Sequence, residues 1–182
     1  MFEALSSKIL AGVVSLSMLL FSSFEGNDPS LSAINHSTSS GYLYLSGQLH
    51  SAFENDFAPI FASGVPIPIY YNLNLKKGSR MVMQKRFLHV VTFDPVTGVY
   101  EVSKEGEPEV FYTDSVEQVI RKLSSYRFKI PYQSSWGIVK VRIEAALTKV
   151  RFPDMDQEMD LMILWKLKKP SAQTQIDLRE LK

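Results

Sequence analysis

At 182 residues, with 45% hydrophobic, 12% aromatic and 21% charged positions, the chain holds enough apolar material for one compact core, which excludes disorder throughout. Twenty Lys and Arg against nineteen Asp and Glu leave a net charge of +1, which provides no long-range field for gathering phosphate and argues against a dedicated nucleic-acid binder. The absence of cysteine removes disulfides, thiolate metal sites, Cys nucleophiles and a lipoprotein attachment point.

Lys8 precedes a weakly polar to apolar run, Ile9 to Phe21, with Ser22, Ser23 and Gly26 just beyond, which is the anatomy of a signal peptide. A membrane-spanning helix needs about 20 apolar residues, so this run is short for a span. Phe24 and Glu25 interrupt the small-residue cleavage pattern, which keeps an uncleaved anchor and a buried N-terminal helix as alternatives. Residues 1–26 are therefore expected to direct export to the periplasm or envelope. Residues 27–40, rich in Ser, Asn, Asp, Thr and Pro, read as a flexible linker. Asn35-His36-Ser37 has the form of a glycosylation acceptor, but such triplets are frequent by chance.

A β-prone run from Tyr42 to Leu49 opens the folded part. Ser51 with Glu54 three residues on has the form of a capping box, and Phe53, Phe57, Ile60 and Phe61 share one face, so the spacing predicts a helix that Gly64 and Pro66 stop. Ile67, Ile69, Tyr71, Leu73 and Leu75 alternate with polar positions, which predicts a half-buried strand. Lys77-Gly78-Ser79 reads as a turn into a second strand, Met81 to Phe93, and Asp94-Pro95-Val96-Thr97-Gly98 punctuates a hairpin into a third, Val99 to Val102. Val110 to Tyr112 continues it after a charged turn. Thr113 or Asp114 caps a second helix whose buried stripe is Val116, Val119, Ile120 and Leu123. Val139 to Leu147 alternates again, and Glu158 to Leu167 reads as a last strand in preference to a helix. Residues 170–182 form a polar tail. The sum is one α+β domain over residues 41–169, in the order β-α-β-β-β-α-β-β, with a mostly antiparallel sheet and two helices on one face. A β-sandwich with peripheral helices is the alternative.

The stretch Ala62-Ser63-Gly64-Val65-Pro66, the strand Ile67 to Leu75, the hairpin from Val91 through Asp94-Pro95 to Tyr100, and the late strand Val139 to Leu147 together resemble an uncharacterised family of small exported bacterial proteins, a domain of unknown function seen beside nitrogen-type sensor kinases. The likeness covers about residues 41–167. Phe93 stands where that family usually has Tyr, and its late Trp-rich stretch is represented here by Trp165 alone. The resemblance implies export and a bacterial origin, and it implies no catalytic residues.

His36, His50 and His89 are scattered, and no Gly-x-Ser-x-Gly elbow accompanies them, so a hydrolase built on His89 ranks below non-enzymatic readings. Asp154, Asp156, Glu158 and Asp160 begin like a calcium loop, but Met159 and Trp165 stand where an EF-hand needs Gly and Glu, leaving only a looser site conceivable. Glycine-rich phosphate loops are absent, and no cofactor or metal is called for. Lys166, Lys168 and Lys169 could touch anionic lipid, so peripheral membrane association stays open. The aromatic surplus is the stronger lead. The segment from Tyr126 through Tyr132 to Trp136 is expected to be a contact loop for another envelope protein, an assembly or signalling partner. Alternatively, Phe53, Phe57, Phe61, Val119 and Leu123 would line a pocket for a lipid or other apolar ligand between sheet and helices.

Overall fold

A computed structural model of the protein describes residues 25–153, 155 and 158–179. The leader expected within residues 1–26 therefore lies almost wholly outside the described residues, as do Asp154 and Asp156 of the acidic series.

The strands are β1 (Ser30–Leu31), β2 (Asn35–Ser39), β3 (Tyr42–His50), β4 (Ile67–Lys77), β5 (Arg80–Asp94), β6 (Val99–Lys104), β7 (Phe111–Thr113), β8 (Ser125–Pro131), β9 (Ile138–Leu147), β10 (Lys149–Arg151), β11 (Glu158–Asp160) and β12 (Ser171–Asp177). The helices are α1 (Phe57–Phe61) and α2 (Val116–Leu123), and Ser134–Trp136 and Leu161–Trp165 are 3-10 turns. The chain is thus a mostly antiparallel β protein with two short helices, as its alternation predicts. A six-stranded sheet runs β12-β9-β4-β5-β6-β7, and in a smaller sheet β1 and β2 share one side of β3 while β8 takes the other.

Strand β4 shows how sequence makes the core. Its inward residues Ile67, Ile69, Tyr71, Leu73 and Leu75 are fully buried, while the residues between them are only half covered, as period-two alternation requires. The two sheets meet through rings. Phe128 of β8 stacks on Phe87 of β5 with centroids 4.1 Å apart, and Tyr71 and Tyr126 lie 5.4 and 5.1 Å from Phe128. Offset ring packing of this kind adds about 0.5–1.5 kcal/mol per pair beyond the area it buries.

Several expectations are corrected. Residues 27–40 are not a linker: β1 and β2 pair with β3, and Asn27 is buried, its Oδ1 accepting from Glu54 N and Asn55 N at 3.0 Å and its Nδ2 donating to Asn55 O. A polar strand can occupy a sheet edge because its backbone, not its side chains, makes the ladder. The same reason turns the expected polar tail into β12, paired with β9 from Ser171↔Glu144 to Asp177↔Ile138. The capping box at Ser51 does not form. Asn27 takes the amides of residues 54 and 55, Trp165 Nε1 donates to Ala52 O at 2.7 Å, and the helix is left only from Phe57 to Phe61. The last predicted strand survives only as β11. Leu161, Met162, Leu164 and Trp165 are buried together, which two-sided alternation cannot do and a 3-10 turn can.

Candidate functional site

The segment from Tyr126 to Trp136 is not a free loop. Its first part is β8, in which Tyr126, Phe128 and Ile130 point inward while Arg127 and Lys129 point out, with Lys129 lying 4.0 Å over the Tyr42 ring. Tyr126 therefore cannot contact a partner. Burial pushes its phenol up to about 12, its hydroxyl has no hydrogen-bond partner among the described residues, and Gly47 is required opposite it because a Cβ there would fall 2.7 Å from Tyr126 Cζ. Tyr132 and Trp136 are half-buried against the core.

The expected apolar pocket is filled. Phe53 meets Phe57 edge-on at 5.0 Å, Phe61 at 5.7 Å and Trp165 at 6.0 Å, so the rings occupy the space that a ligand would need. Val119 and Leu123 do not join that cluster's ring contacts. They form the buried face of α2, and the Leu123 carbonyl accepts from the Tyr71 hydroxyl at 3.4 Å.

What gathers beside α2 instead is a charged cluster. Ser115 caps the helix by accepting from Gln118 N at 3.3 Å, and Lys122, about two turns further along α2, lies over the Phe111 ring at 5.8 Å. Lys104 ends β6 and is only 4% exposed; its ammonium donates to Ser125 O at 2.7 Å and Ser125 Oγ at 3.1 Å, with Glu107 Oε1 at 3.5 Å. Glu107 in turn accepts from Lys122 at 2.7 Å, so one carboxylate serves two lysines. Burial lowers the Lys104 pKa to about 8 even though Glu107 favours its charge. Burial also opposes ionisation of Glu107, but the hydrogen bond from Lys122 and the two positive charges outweigh it and hold the carboxyl below its usual range.

His89 faces Lys104 across the β5–β6 ladder and rests 4.8 Å from the Tyr71 ring. It is 1% exposed, its Nδ1 has no partner among the described residues, and burial, aided by the Lys104 charge, pushes its pKa down to about 3. His89 and Lys104 are sealed off from solvent. What reaches the surface is a groove of about 210 Å³ lined by Glu107, Pro108, Glu109, Val110, Phe111 and Lys122. It runs beside β7, the last strand of the large sheet, whose far side pairs with no strand among the described residues. Val110 and Tyr112 stand out from it at 40% and 61% exposure.

A second groove, about 630 Å³, lies between the end of β9 and the β10–β11 hairpin, with Leu147, Met162 and Leu167 as apolar lining and Lys149, Lys169, Glu158 and Asp160 around it. Lys166 and Leu167 both adopt left-handed backbone there, at φ 51° and 60°, which costs about 1–2 kcal/mol per non-glycine residue. Among the described residues no group of three or more His, Asp or Glu side chains is placed to hold a metal, and no helix is long and apolar enough to cross a membrane.

Sequence reasoning missed Lys104. Nothing in Lys104-Glu105-Gly106-Glu107 distinguishes a buried lysine from a solvated turn; only the Ser125 carbonyl, brought in by β8, makes the difference. Comparison with known proteins adds no relative: no family model matches the chain, and neither a curated protein nor a solved structure is similar to it.

Proposed function

We propose that the chain is a non-enzymatic envelope protein that binds an extended segment of another protein along the open edge of β7. The export part of this reading rests on the leader anatomy around Lys8 and Ile9 to Phe21 and on the resemblance to small exported bacterial proteins. The binding part rests on one observation: a strand edge without a neighbour among the described residues, flanked by a groove, with exposed Val110 just before the strand and exposed Tyr112 on it. A sheet edge of that kind accepts an added strand through backbone hydrogen bonds, and pockets beside it select side chains. The Lys104–Glu107–Lys122 arrangement, in which Lys104 is buried and Glu107 and Lys122 reach the groove, braces the turn from β6 to β7, so the edge is held ready before anything binds. Glu101, Glu109, Asp114 and Glu117 surround it with exposed negative charge, which favours a basic segment with an apolar residue for the groove.

Panning a random-peptide display library against the immobilised full chain tests this. Enriched peptides should be β-prone and basic, and Val110→Lys or Tyr112→Lys, which removes the apolar contact and repels a basic segment, should abolish their binding while leaving the melting temperature unchanged. Peptides that bind both variants as well as the parent would place the contact elsewhere.

A lipid-carrier reading draws on a different place, the larger groove with the exposed Leu167 and the Lys169 ammonium. Native mass spectrometry of protein extracted from its own envelope separates the two, because a carrier arrives with additional mass of lipid size.

A further inference from the structure

The net charge of +1 conceals a strong asymmetry. From Lys76 to Arg86 the chain carries five Lys and Arg and no acidic residue, whereas from Glu101 to Glu117 it carries six acidic residues with Lys104 as the lone base. The two sets sit on different elements, the basic one around the β4–β5 turn and the acidic one along β6, β7 and the start of α2, and they meet where Lys85 reaches Glu105 at 3.5 Å. Strand pairing then enlarges the basic set, placing Lys140 opposite Lys76 and Arg142 opposite Asn74.

Carboxylates answer little of this charge. Lys85 has Glu105 at 3.5 Å and Arg142 has Glu144 at 3.1 Å, but among the described residues Lys76, Lys77, Arg80, Arg86 and Lys140 pair with no carboxylate. All five are exposed. Lys77 donates instead to Ser135 O and Arg86 Nε to Asn72 Oδ1, neutral acceptors that leave the charges uncompensated. Between the cations sit Met81, 41% exposed, and the half-buried Val82 and Met83. Strand β6 pairs with β5 only from His89 to Asp94, so the stretch from Arg80 to Phe87 has no strand neighbour on that side among the described residues.

Charge at an open edge can serve merely to repel other sheets. That role needs neither an exposed Met at the tip nor cations on β9, which is an inner strand of the sheet. A soluble polyanion would use the cations and gain nothing from Met81. A lipid surface uses both, phosphates taking the charges while a short apolar side chain enters the interface.

We infer that the β4–β5 hairpin tip is a membrane-docking element, in which Lys76, Lys77, Arg80, Arg86 and Lys140 hold the headgroup phosphates of an anionic leaflet and Met81 enters the interface. The acidic β6–β7 corner carries the opposite charge and is repelled by the same surface, which leaves it free for another partner.

The chain has no cysteine, so Ser79→Cys gives a single attachment point for an environment-sensitive fluorophore at the tip of the full chain. Vesicles of phosphatidylcholine containing about a third phosphatidylglycerol should shift the label to shorter wavelength, and pure phosphatidylcholine vesicles should not. Salt at about 1 M, where the screening length falls to about 3 Å, should reverse the shift. Each cation at such a surface is worth about a fivefold change in partitioning, so combining Lys76→Glu, Lys77→Glu and Arg80→Glu should weaken vesicle binding roughly a hundredfold or more. Met81→Ser, which removes the apolar side chain without changing the charge, should weaken it severalfold and leave binding to soluble polyphosphate unchanged. A label that does not respond to anionic vesicles overturns the inference. So does an equal response to polyphosphate together with indifference to Met81→Ser, which would assign the site to a polymer.

Discussion

His89 makes the fold sensitive to acid, and the size of the effect follows from its surroundings. Burial holds its imidazole neutral, with a folded-state pKa of about 3 against 6.5 for an ordinary histidine. Below about pH 6.5 the unfolded chain takes up a proton that the folded chain refuses, so the stability this group contributes is complete above that pH and declines as pH falls toward 3. Each pH unit in that window removes about 1.4 kcal/mol, and about 2 kcal/mol is lost by pH 5. His89→Leu keeps an apolar group of similar size against Tyr71 and Phe128 and has nothing to protonate. Urea unfolding of both proteins at about pH 8 and about pH 5 should show the parent losing about 2 kcal/mol more than the variant between the two conditions. Equal losses would mean that His89 is hydrated or ion-paired and that the sealed cluster between β5 and β6 is misdescribed.

Other consequences concern the joints of the fold. Asn27→Ala strips acceptors from the amides of residues 54 and 55 and should cost about 2–3 kcal/mol in chemical denaturation, whereas a residue in a free linker would cost nothing. Tyr126→Phe removes a buried hydroxyl that has no partner among the described residues, so its thermal midpoint should stay level or rise by the equivalent of about 1 kcal/mol. Gly47→Ala should destabilise the parent, because the Cβ meets the Tyr126 ring edge, and should be better tolerated when combined with Tyr126→Phe; a double-mutant cycle with no coupling would contradict that contact.

How much of this was legible in the sequence depended on whether local pattern or a distant residue decides the structure. Strand β4 alternates without a fault from Ile67 to Leu75 and was readable, as were the β4–β5 turn at Lys77-Gly78-Ser79 and the α2 stripe. Strand β8 carried the same period in Tyr126, Phe128 and Ile130, but the density of rings suggested surface function and hid the alternation. The short α1 was not readable, because Asn27 and Trp165 decide it from 28 and 113 positions away. Edge strands β2 and β12 hold by backbone pairing with few buried side chains, so their polar composition looked like disorder. At the candidate site, the rings and acidic residues were visible, but the Lys104 ammonium needed the folded position of Ser125 to distinguish it from a solvated turn.

The binding claim is tested most directly by amide hydrogen exchange on the full chain, with and without the tightest peptide from the display selection. Binding at the open edge predicts slowed exchange confined to the stretch from Glu107 through the residues of β7 and to the neighbouring face of α2 around Lys122. Protection that appears instead along β2, β12 or the larger groove, with the β7 amides unchanged, would contradict it.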